Sequence, residues 1–434
     1  MKILLVQRME YLYRYGGAHK ANRILMEAMA ARGHECCVIT PKISMNGFEE
    51  YYNEMKQNGE FEELQENDKL NCIKKQGVTV YTVKEKFGIY PFIKKTVSEF
   101  EPDVTIVSED RSHLIMEAVL ETNTLAVYLS HSQTVLPFGP ESFETNEQHT
   151  KLYQRLDGIM AVSHYLQDYC MEYGGVNAKT IYFPSYGDGP FPYLGSFKNP
   201  YITVINPSAI KGLSIFLALA KKHPDITFAA VVTWATVSEE RKMLESQSNI
   251  VILDPVEDVN EIYAKTKVFL MPSLWGESFG QVVVEAMLRG IPVIASNVGG
   301  LPEAKQHMDY LLPVNPIKTY IKEDNLHDNS YRPIIPEQNL EPWSEAILRL
   351  TTDEAHYEAL SKESREKATA FYESLNFENF EHYFSELVLE NREKKEQLKQ
   401  KTKERDLLME RIKNLPPEKR EKLYRIYQKK GGKE

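Results

Sequence analysis

The chain has 434 residues, of which 42% are hydrophobic and 26% are charged. This is the composition of an ordinary globular protein large enough for two or three domains, and it excludes wholesale disorder and a low-complexity or collagen-like class. The net charge is −10, but residues 391–434 hold 16 Lys and Arg against 8 Asp and Glu, so the rest of the chain is strongly acidic. An acidic body argues against general binding of nucleic acids.

The first residues, MKILLVQRMEYLYRY, contain a four-residue apolar run that polar and aromatic residues follow. The run is too short for the core of a signal peptide, so we expect a first buried strand in a cytoplasmic protein. No apolar run reaches the roughly 18 residues that a membrane span needs. The four Cys form no Cys-x-x-Cys pair, and we expect reduced thiols.

Short β-branched runs alternate with helical patterns, which predicts parallel sheets of the α/β class. In the first half we predict a helix over residues 21–32, ended by Gly33, and strands at residues 3–6, 37–40, 78–83, 104–107, 125–129 and 158–162. Residues 42–72 break this rhythm. They are polar, aromatic and acidic, which predicts an insertion of short helices.

Residues 182–200 contain four Pro and three Gly, which is typical of a linker. After it the alternation restarts, with predicted helices at 213–221 and from 281, and predicted strands at 201–205, 226–232, 251–253, 268–271 and 292–295. Two such halves joined by a hinge predict a cleft between domains. In parallel sheets the ligand site lies outside the carboxyl ends of the strands.

The most informative stretch is MPSLWGESFGQVVVEAMLRGIPVIASNVGGLPE, residues 271–303. Glu277 and Glu285 flank a predicted helix start, where free N–H groups favour a phosphate. Gly280 and the Gly299-Gly300 pair leave room for that phosphate. The carboxylates suit sugar hydroxyls, one on a hexose and the other on a ribose. Alternatively, both acids only complement the helix dipole.

The segment GESFGQVVVEA, followed by GGLPE, resembles the family-4 glycosyltransferases of the GT-B fold. The hallmark of that family is Glu-x7-Glu, which here is Glu277 and Glu285. The resemblance covers about the first 385 residues, more weakly through residues 42–120. It implies retaining transfer of a sugar from a nucleotide donor, with no metal and no other cofactor.

The resemblance also implies the α/β architecture of that fold, in which two Rossmann-like parallel-sheet domains face each other across a cleft. Residues 1–190 would form the acceptor-side domain and residues 191–368 the nucleotide-sugar donor domain. A helix over residues 369–390 would cross back to the first domain, and residues 391–434 would form a basic helical tail.

The same resemblance assigns roles to the motif. Glu277 would contact the donor sugar, and Glu285 the ribose. The amides near Ser278, Phe279 and Gly280 would meet the diphosphate and the sugar.

A second match is NPSAIKG, residues 206–212, where Lys211 stands at a predicted helix start. A lysine there suits a point charge on a diphosphate, and the alternative is a solvent-exposed lysine. Many family members have an Arg about six residues earlier, and this chain has no basic residue there. Candidates from the first domain for the missing charge are Arg8, Arg14, Lys20 and Arg111.

The Gly16-Gly17 pair lies in a stretch that resembles the family's Gly-Gly loop. By this resemblance Gly17 lets the backbone approach the donor phosphate across the cleft; otherwise the pair is only a tight turn. The tyrosines of the preceding loop pack against the core or form part of an acceptor wall: Tyr11, Tyr13 and Tyr15.

Among the 11 His, His131 directly follows the predicted strand 125–129. The family commonly has a His at this point, near the donor sugar and the reaction centre. A structural His is the alternative. His19 is the second candidate, and His164 is expected to begin a helix and to pack.

The predicted catalytic residues are therefore His131, Glu277 and Lys211, with no carboxylate nucleophile assigned. UDP-sugar is the first donor to expect. The alternatives are an epimerase or hydrolase of nucleotide sugars with the same fold, or a nucleotide-sugar-binding scaffold protein with weak activity.

The tail is rich in helix formers over residues 392–415, and Pro416-Pro417 then interrupt it. Interleaved acids and bases argue against a membrane-surface helix, and a solvated helix is the simplest expectation. LPPEKREKL, residues 415–423, resembles short helices near module ends in polyketide and nonribosomal peptide synthetases. That resemblance implies docking to an assembly-line protein and a small-molecule or carrier-bound acceptor from secondary metabolism.

Overall fold

The computed structural model describes residues 1–12, 16–43, 48–85, 88–108, 111–233, 235–322 and 331–413. The chain divides into a large unit, Met1–Phe380, and a second unit, Glu381–Glu434. Within the described residues no helix is long and apolar enough to cross a membrane.

The first half of the large unit is built on one nine-stranded sheet. Its strands are β1 (Lys2–Gln7), β2 (Glu35–Pro41), β3 (Glu62–Glu66), β4 (Leu70–Lys75), β5 (Val78–Val83), β6 (Val104–Ser108), β7 (Ala126–Ser130), β8 (Gly158–Ala161) and β9 (Lys179–Thr180). The spatial order is β3-β4-β5-β2-β1-β6-β7-β8-β9. Only the pairs β3/β4 and β4/β5 are antiparallel. The parallel strands carry continuous apolar runs because both faces of the sheet are covered.

Most helices of this half connect parallel strands, whereas α2 leads from β2 to the edge strand β3. They are α1 (Gly17–Ala31), α2 (Phe48–Gln57), α3 (Ile89–Phe100), α4 (Leu114–Leu120), α5 (Glu147–Tyr153) and α6 (His164–Gly174). The predicted strands of this half are all present, with ends that differ by one or two residues. Gly33 has a φ of +88° just after α1, which is why the helix ends there.

The insertion at residues 42–72 differs from the prediction of short helices. Among its described residues it contains one helix, α2, and then the antiparallel strands β3 and β4, which extend the sheet beyond β5. Gln76 and Gly77 both have positive φ and form the tight turn between β4 and β5. The side chains of β3 are exposed throughout, so it lacks the alternation that would have revealed a strand.

The second half is built on a six-stranded parallel sheet in the order β12-β11-β10-β13-β14-β15. Its strands are β10 (Tyr201–Ile205), β11 (Phe228–Val231), β12 (Ile250–Leu253), β13 (Thr266–Met271), β14 (Val293–Ser296) and β15 (Leu311–Leu312). A separate antiparallel pair consists of β16 (Tyr320–Lys322) and β17 (Tyr331–Pro333). The helices are α7 (Leu213–Lys222), α8 (Ser238–Glu245), α9 (Asn260–Tyr263), α10 (Gln281–Leu288), α11 (Leu301–Ala304), α12 (Glu341–Thr352) and α13 (Glu354–Ser374).

The last described element is one long helix, α14 (Glu378–Lys413), instead of the predicted helix over residues 369–390. Leu375 has an extended backbone and separates α13 from α14. At the start of α14 the ring of Phe380 is buried 4.8 Å from the ring of Phe183, which belongs to the first half. The segment 415–423, predicted to dock a partner, lies outside the described residues.

Candidate functional site

The site is assembled where β10, β13 and β14 end side by side in the second sheet. The loop after β10 meets the loop after β13, and the backbone N–H of Leu274 donates to the carbonyl of Ile210 at 2.9 Å. Gly212 has a φ of +78°, and a Cβ there would lie 1.8 Å from the carbonyl oxygen of Pro272. Only glycine permits this close approach. The approach places the preceding Lys211 beside the loop that carries Glu277.

Glu277 and Lys211 form a buried ion pair. The Lys211 Nζ lies 2.5 and 2.7 Å from the two carboxylate oxygens of Glu277. Ser273 Oγ and Trp275 Nε1 donate to the same carboxylate at 2.6 and 2.7 Å. Only 14% of the lysine side chain is exposed, so the alternative of a solvent lysine is wrong.

Glu285 lies in the second turn of α10, and Tyr263 donates a hydrogen bond to it at 3.3 Å. Burial raises the pKa of Glu285, and the charge of Lys20 opposes this shift. The first turn of α10 holds no acid. The alternative in which Glu277 and Glu285 complement the helix dipole is therefore wrong, because neither carboxylate belongs to that turn.

In the loop at residues 276–280, three carbonyl groups accept hydrogen bonds, while the N–H groups of residues 278–280 have no acceptor in the described part of the chain. Gln133 Nε2 donates to the carbonyl of Gly276, Gly300 N to that of Glu277 at 2.6 Å, and Ser163 Oγ to that of Ser278. No group in the described part of the chain accepts from the N–H of Ser278, Phe279 or Gly280. Three free N–H groups beside a helix N-terminus form an anion cradle.

The Gly-Gly loop of the first half reaches this cradle. A Cβ placed on Gly17 would lie 3.3 Å from Oε1 of Gln281, the first residue of α10. Gly16 has a φ of +98°, which favours glycine in the turn before α1. The structure therefore brings Gly17 to the start of the helix that the sequence had singled out.

His131 follows β7 and lies partly buried, 5.4 Å from the ring of Phe183. Its Nε2 is 2.7 Å from Oδ1 of Asn22. Burial, with a further contribution from His19, lowers the pKa of His131 to about 3. The pKa of His19 is itself lowered to about 4 by burial and by Arg8. Both rings are neutral near pH 7.

Sequence reasoning missed the residues of the first half that hold the loop at residues 276–280. Gln133 is fully buried, and its Nε2 also donates to Glu141 at 2.8 Å. The N–H of Gly276 donates to the same carboxylate at 2.8 Å, and Ser278 Oγ donates to Gln133 Oε1 at 3.1 Å. Gln133 stands two residues after His131, so its position after a strand end was the available signal.

Glu303 of the GGLPE segment makes a second set of contacts between the halves. Its carboxylate accepts from the N–H of His164 at 2.9 Å and lies 2.7 Å from His164 Nδ1. The Tyr182 hydroxyl also donates to it. His164 begins α6 as expected, but its side chain is 62% exposed and does not pack into the core. A carboxylate at this helix start is favoured by the dipole.

The remaining candidates, for the missing charge and for the acceptor wall, have different surroundings. Lys20 acts on Glu285 and Arg8 on His19, whereas the Arg111 guanidinium lies 5.3 Å from the ring centre of Phe143. Tyr11 is buried and packs in the core, 2% exposed. Tyr13, Arg14 and Tyr15 lie outside the described residues. Within the described residues no cluster of His, Cys, Asp and Glu could hold a metal ion.

Comparison with known proteins gives matches over both the second half and the whole fold. Residues 206–353 match the family described as Glycosyl transferases group 1. An uncharacterized 42.6 kDa protein in the cps region of Klebsiella pneumoniae is 23% identical over 332 residues, which are 70% of this chain and 87% of that protein. O-antigen chain mannosyltransferase B of Escherichia coli is 36% identical over 89 residues, 20% of this chain and 23% of that enzyme.

Among solved structures, Anabaena HepE in complex with UDP and glucose superposes with a TM-score of 0.61 at 16% identity, covering 90% of this chain and 100% of that chain. This likeness confirms the predicted GT-B fold. The family match includes Lys211, Glu277, Glu285 and the cradle between them. Residues 206–353 thus form a Glycosyl transferases group 1 domain, in a chain that is an enzyme of the transferase class.

Proposed function

We propose that this protein transfers a sugar from a nucleotide-sugar donor to an acceptor hydroxyl, with retention of anomeric configuration and without a metal. The observation that carries the proposal is the cradle of three free amides at residues 278–280, between Glu277 and Glu285 and beside Lys211. A diphosphate needs N–H donors and a cation, and a sugar and a ribose need hydroxyl acceptors on either side. The site offers all of these within two neighbouring loops and one helix.

In this proposal the donor diphosphate binds the amides of Ser278, Phe279 and Gly280, and Lys211 contributes its positive charge. Glu277 accepts from hydroxyls of the donor sugar, and Glu285 accepts from the ribose. Gly17 brings the backbone of the first half against the phosphates. The charge that grows on the departing diphosphate then meets preorganised donors, which is the largest contribution to catalysis in many enzymes.

The transfer itself breaks the bond between the anomeric carbon and the phosphate oxygen and forms a bond from that carbon to the acceptor oxygen. The acceptor proton passes to an oxygen of the departing diphosphate. Neutral His131 lies at the carboxyl end of β7 and accepts a hydrogen bond from a substrate hydroxyl. Positioning of the two substrates supplies the remainder of the rate acceleration.

The donor can be identified with a thermal-shift screen of UDP-, GDP- and dTDP-sugars, since ligand binding to the native state raises the unfolding midpoint. We expect a UDP-sugar to give the largest shift, in line with the UDP found in HepE. Glu277→Gln should abolish sugar transfer, and Glu245→Gln, on the exposed face of α8, serves as the control. Full transfer by the Glu277 variant would contradict the assignment.

Product analysis with and without an acceptor separates the alternatives. Release of free sugar, or a changed sugar nucleotide without acceptor, would indicate a hydrolase or an epimerase. Binding with no turnover would indicate a scaffold protein.

For the acceptor we propose a saccharide chain, because the relatives include an O-antigen chain mannosyltransferase and a protein in a cps region. A small or carrier-bound secondary metabolite, the acceptor predicted from residues 415–423, is the competing candidate. Incubating the protein and its donor with both acceptor classes and weighing the products decides between them.

A further inference from the structure

A chain of hydrogen bonds leads from the backbone of the first half to His131. Gln7 Nε2 donates to the carbonyl oxygen of Met9 at 2.8 Å, and Asn22 Nδ2 donates to Gln7 Oε1 at 2.9 Å. The last link joins Asn22 Oδ1 to His131 Nε2 at 2.7 Å. Gln7 and Asn22 are both fully buried, so water does not compete with these links.

The direction of every link follows from its first member. A carbonyl oxygen only accepts, so the amide nitrogen of Gln7 must face Met9 and its oxygen must face Asn22. Asn22 then presents its NH₂ group to Gln7 and its own oxygen to His131. An amide oxygen also only accepts, so the His131 Nε2 must carry the proton.

Since the ring is neutral, the proton on Nε2 leaves Nδ1 with a free lone pair. No group in the described part of the chain donates to this nitrogen. The ionisable group that acts on the ring is His19, and Arg8 acts in turn on His19. Burial and the neighbouring His19 both disfavour a positive charge on His131.

We propose that Asn22, oriented by Gln7, is a positioning residue that fixes His131 as the Nε2–H tautomer and so makes Nδ1 a hydrogen-bond acceptor for a substrate hydroxyl. The use of that acceptor rests on the proposed function. Two residues beyond His131, Gln133 contacts Gly276 and Ser278, so the ring belongs to the segment that reaches the donor loop. The assignment predicts that His131 accepts a proton or a hydrogen bond and does not act as a cation.

The tautomer can be measured directly by NMR of the full-length protein with ¹⁵N-labelled histidine, the His131 signals being assigned with His131→Asn. We expect a pyrrole-type Nε2 and a pyridine-type Nδ1, unchanged between about pH 5 and 8, the interval in which an ordinary His titrates. A protonated Nδ1, or a titration of the ring within that interval, would overturn the proposal. This NMR measurement needs no substrate and no Asn22 variant.

Asn22→Asp tests the function of this chain of hydrogen bonds. The carboxylate still accepts from Nε2 but favours an imidazolium, so His131 should now titrate and Nδ1 should be protonated on the acid side. The turnover number should then fall at low pH and recover at high pH, with an unchanged KM for the donor. Asn22→Gln serves as the conservative variant and Gln148→Leu as an exposed control. If His131 titrates in the Asn22→Asp protein but its turnover depends on pH as in the wild type, the hydrogen-bond chain has no role in the reaction and the proposal is wrong. If the wild type transfers no sugar at all, only the proposed function is refuted.

Discussion

Lys211 pairs with Glu277 at the centre of the candidate site, so an anionic ligand would compete with this carboxylate for the ammonium group. The ammonium neutralises the carboxylate and also lies 5.2 Å from the ring centre of Trp275, which confines it further. In the proposed function, a donor diphosphate would share this cation with Glu277, while a sugar hydroxyl would donate to the carboxylate. The pair therefore positions both groups before the donor arrives, and neither side chain has to be ordered upon binding.

Lys211→Ala should lower sugar transfer by about 100- to 1,000-fold, the range for loss of one preorganised electrostatic group. It should also destabilise the fold by about 3 kcal/mol, because a buried carboxylate loses its cation. Lys211→Met combined with Glu277→Gln should regain stability without activity. Denaturant unfolding and initial rates measure the two effects, with Lys222→Ala as the control for an exposed, paired lysine. Equal rates for Lys211→Ala and the wild type would refute the role.

Glu285 provides a pH-dependent contribution of opposite sign to that of an ordinary salt-bridged acid. Its pKa is raised by burial above the ordinary value of 4.5, so the folded state disfavours the ionised form. The resulting destabilisation is absent below that value and grows as the pH rises above it. Glu285→Gln should therefore unfold at a higher temperature than the wild type at neutral pH, and the difference should vanish near pH 4.

The same Glu285→Gln protein should bind UDP more weakly, because an amide is a poorer acceptor for ribose hydroxyls than a carboxylate. Calorimetric unfolding across pH and titration with UDP measure the two properties separately. A variant that is less stable than the wild type at every pH would contradict the argument from burial.

At the level of elements, the loop between β13 and α10 is held through its carbonyl groups, and two of the three holders come from the first half. Gln133→Leu leaves the carbonyl of Gly276 and the hydroxyl of Ser278 without this partner, at a cost of about 1–3 kcal/mol. Because the loop is then free to turn its amides away, UDP affinity should fall as well. The matched control is Gln148→Leu, on the exposed face of α5. A large drop in the unfolding midpoint with unchanged UDP affinity would show that Gln133 is only structural.

Regular elements with strong periodicity could be predicted closely from the sequence. The strands at residues 78–83 and 201–205 have the predicted bounds, and α10 begins at the predicted Gln281. The exposed strand β3 could not be predicted, because it buries neither face. The contact of Gln133 with Gly276 joins residues 143 positions apart, and local pattern carries no information about such pairs.

The candidate site, too, could be predicted only in part from the sequence. The proximity of Lys211 to Glu277 could be predicted because both follow neighbouring parallel strands. The tie between Glu303 and α6 could not, since it depends on how the two halves pack. A Glu in a short helix and a Ser-His helix start are common features, and neither indicates the other.

At the level of the whole molecule, residues 391–434 carry a positive charge that contrasts with the acidic remainder. Deleting them should leave turnover of a free small acceptor unchanged and weaken glycosylation of a carrier-bound acceptor, if the predicted docking takes place. Initial rates on both substrates measure this, with thermal unfolding as the check on folding. Equal activity of the truncated and full-length proteins on both would remove the docking hypothesis.

The GGLPE turn has a kinetic consequence. The N–H of Gly300 donates to the carbonyl of Glu277, and three residues later Glu303 binds the start of α6. One short turn therefore contacts both the loop at residues 276–280 and the opposite half. Separating the halves would break the contact of Glu303 with α6 together with the contacts of Gln133 and Ser163 with this loop. In the proposed function, release of the spent nucleotide would therefore require a hinge motion, and turnover should slow in proportion to solvent viscosity when glycerol or sucrose is added. Glu303→Gln, with a weaker hold on α6, should lose much of that viscosity dependence.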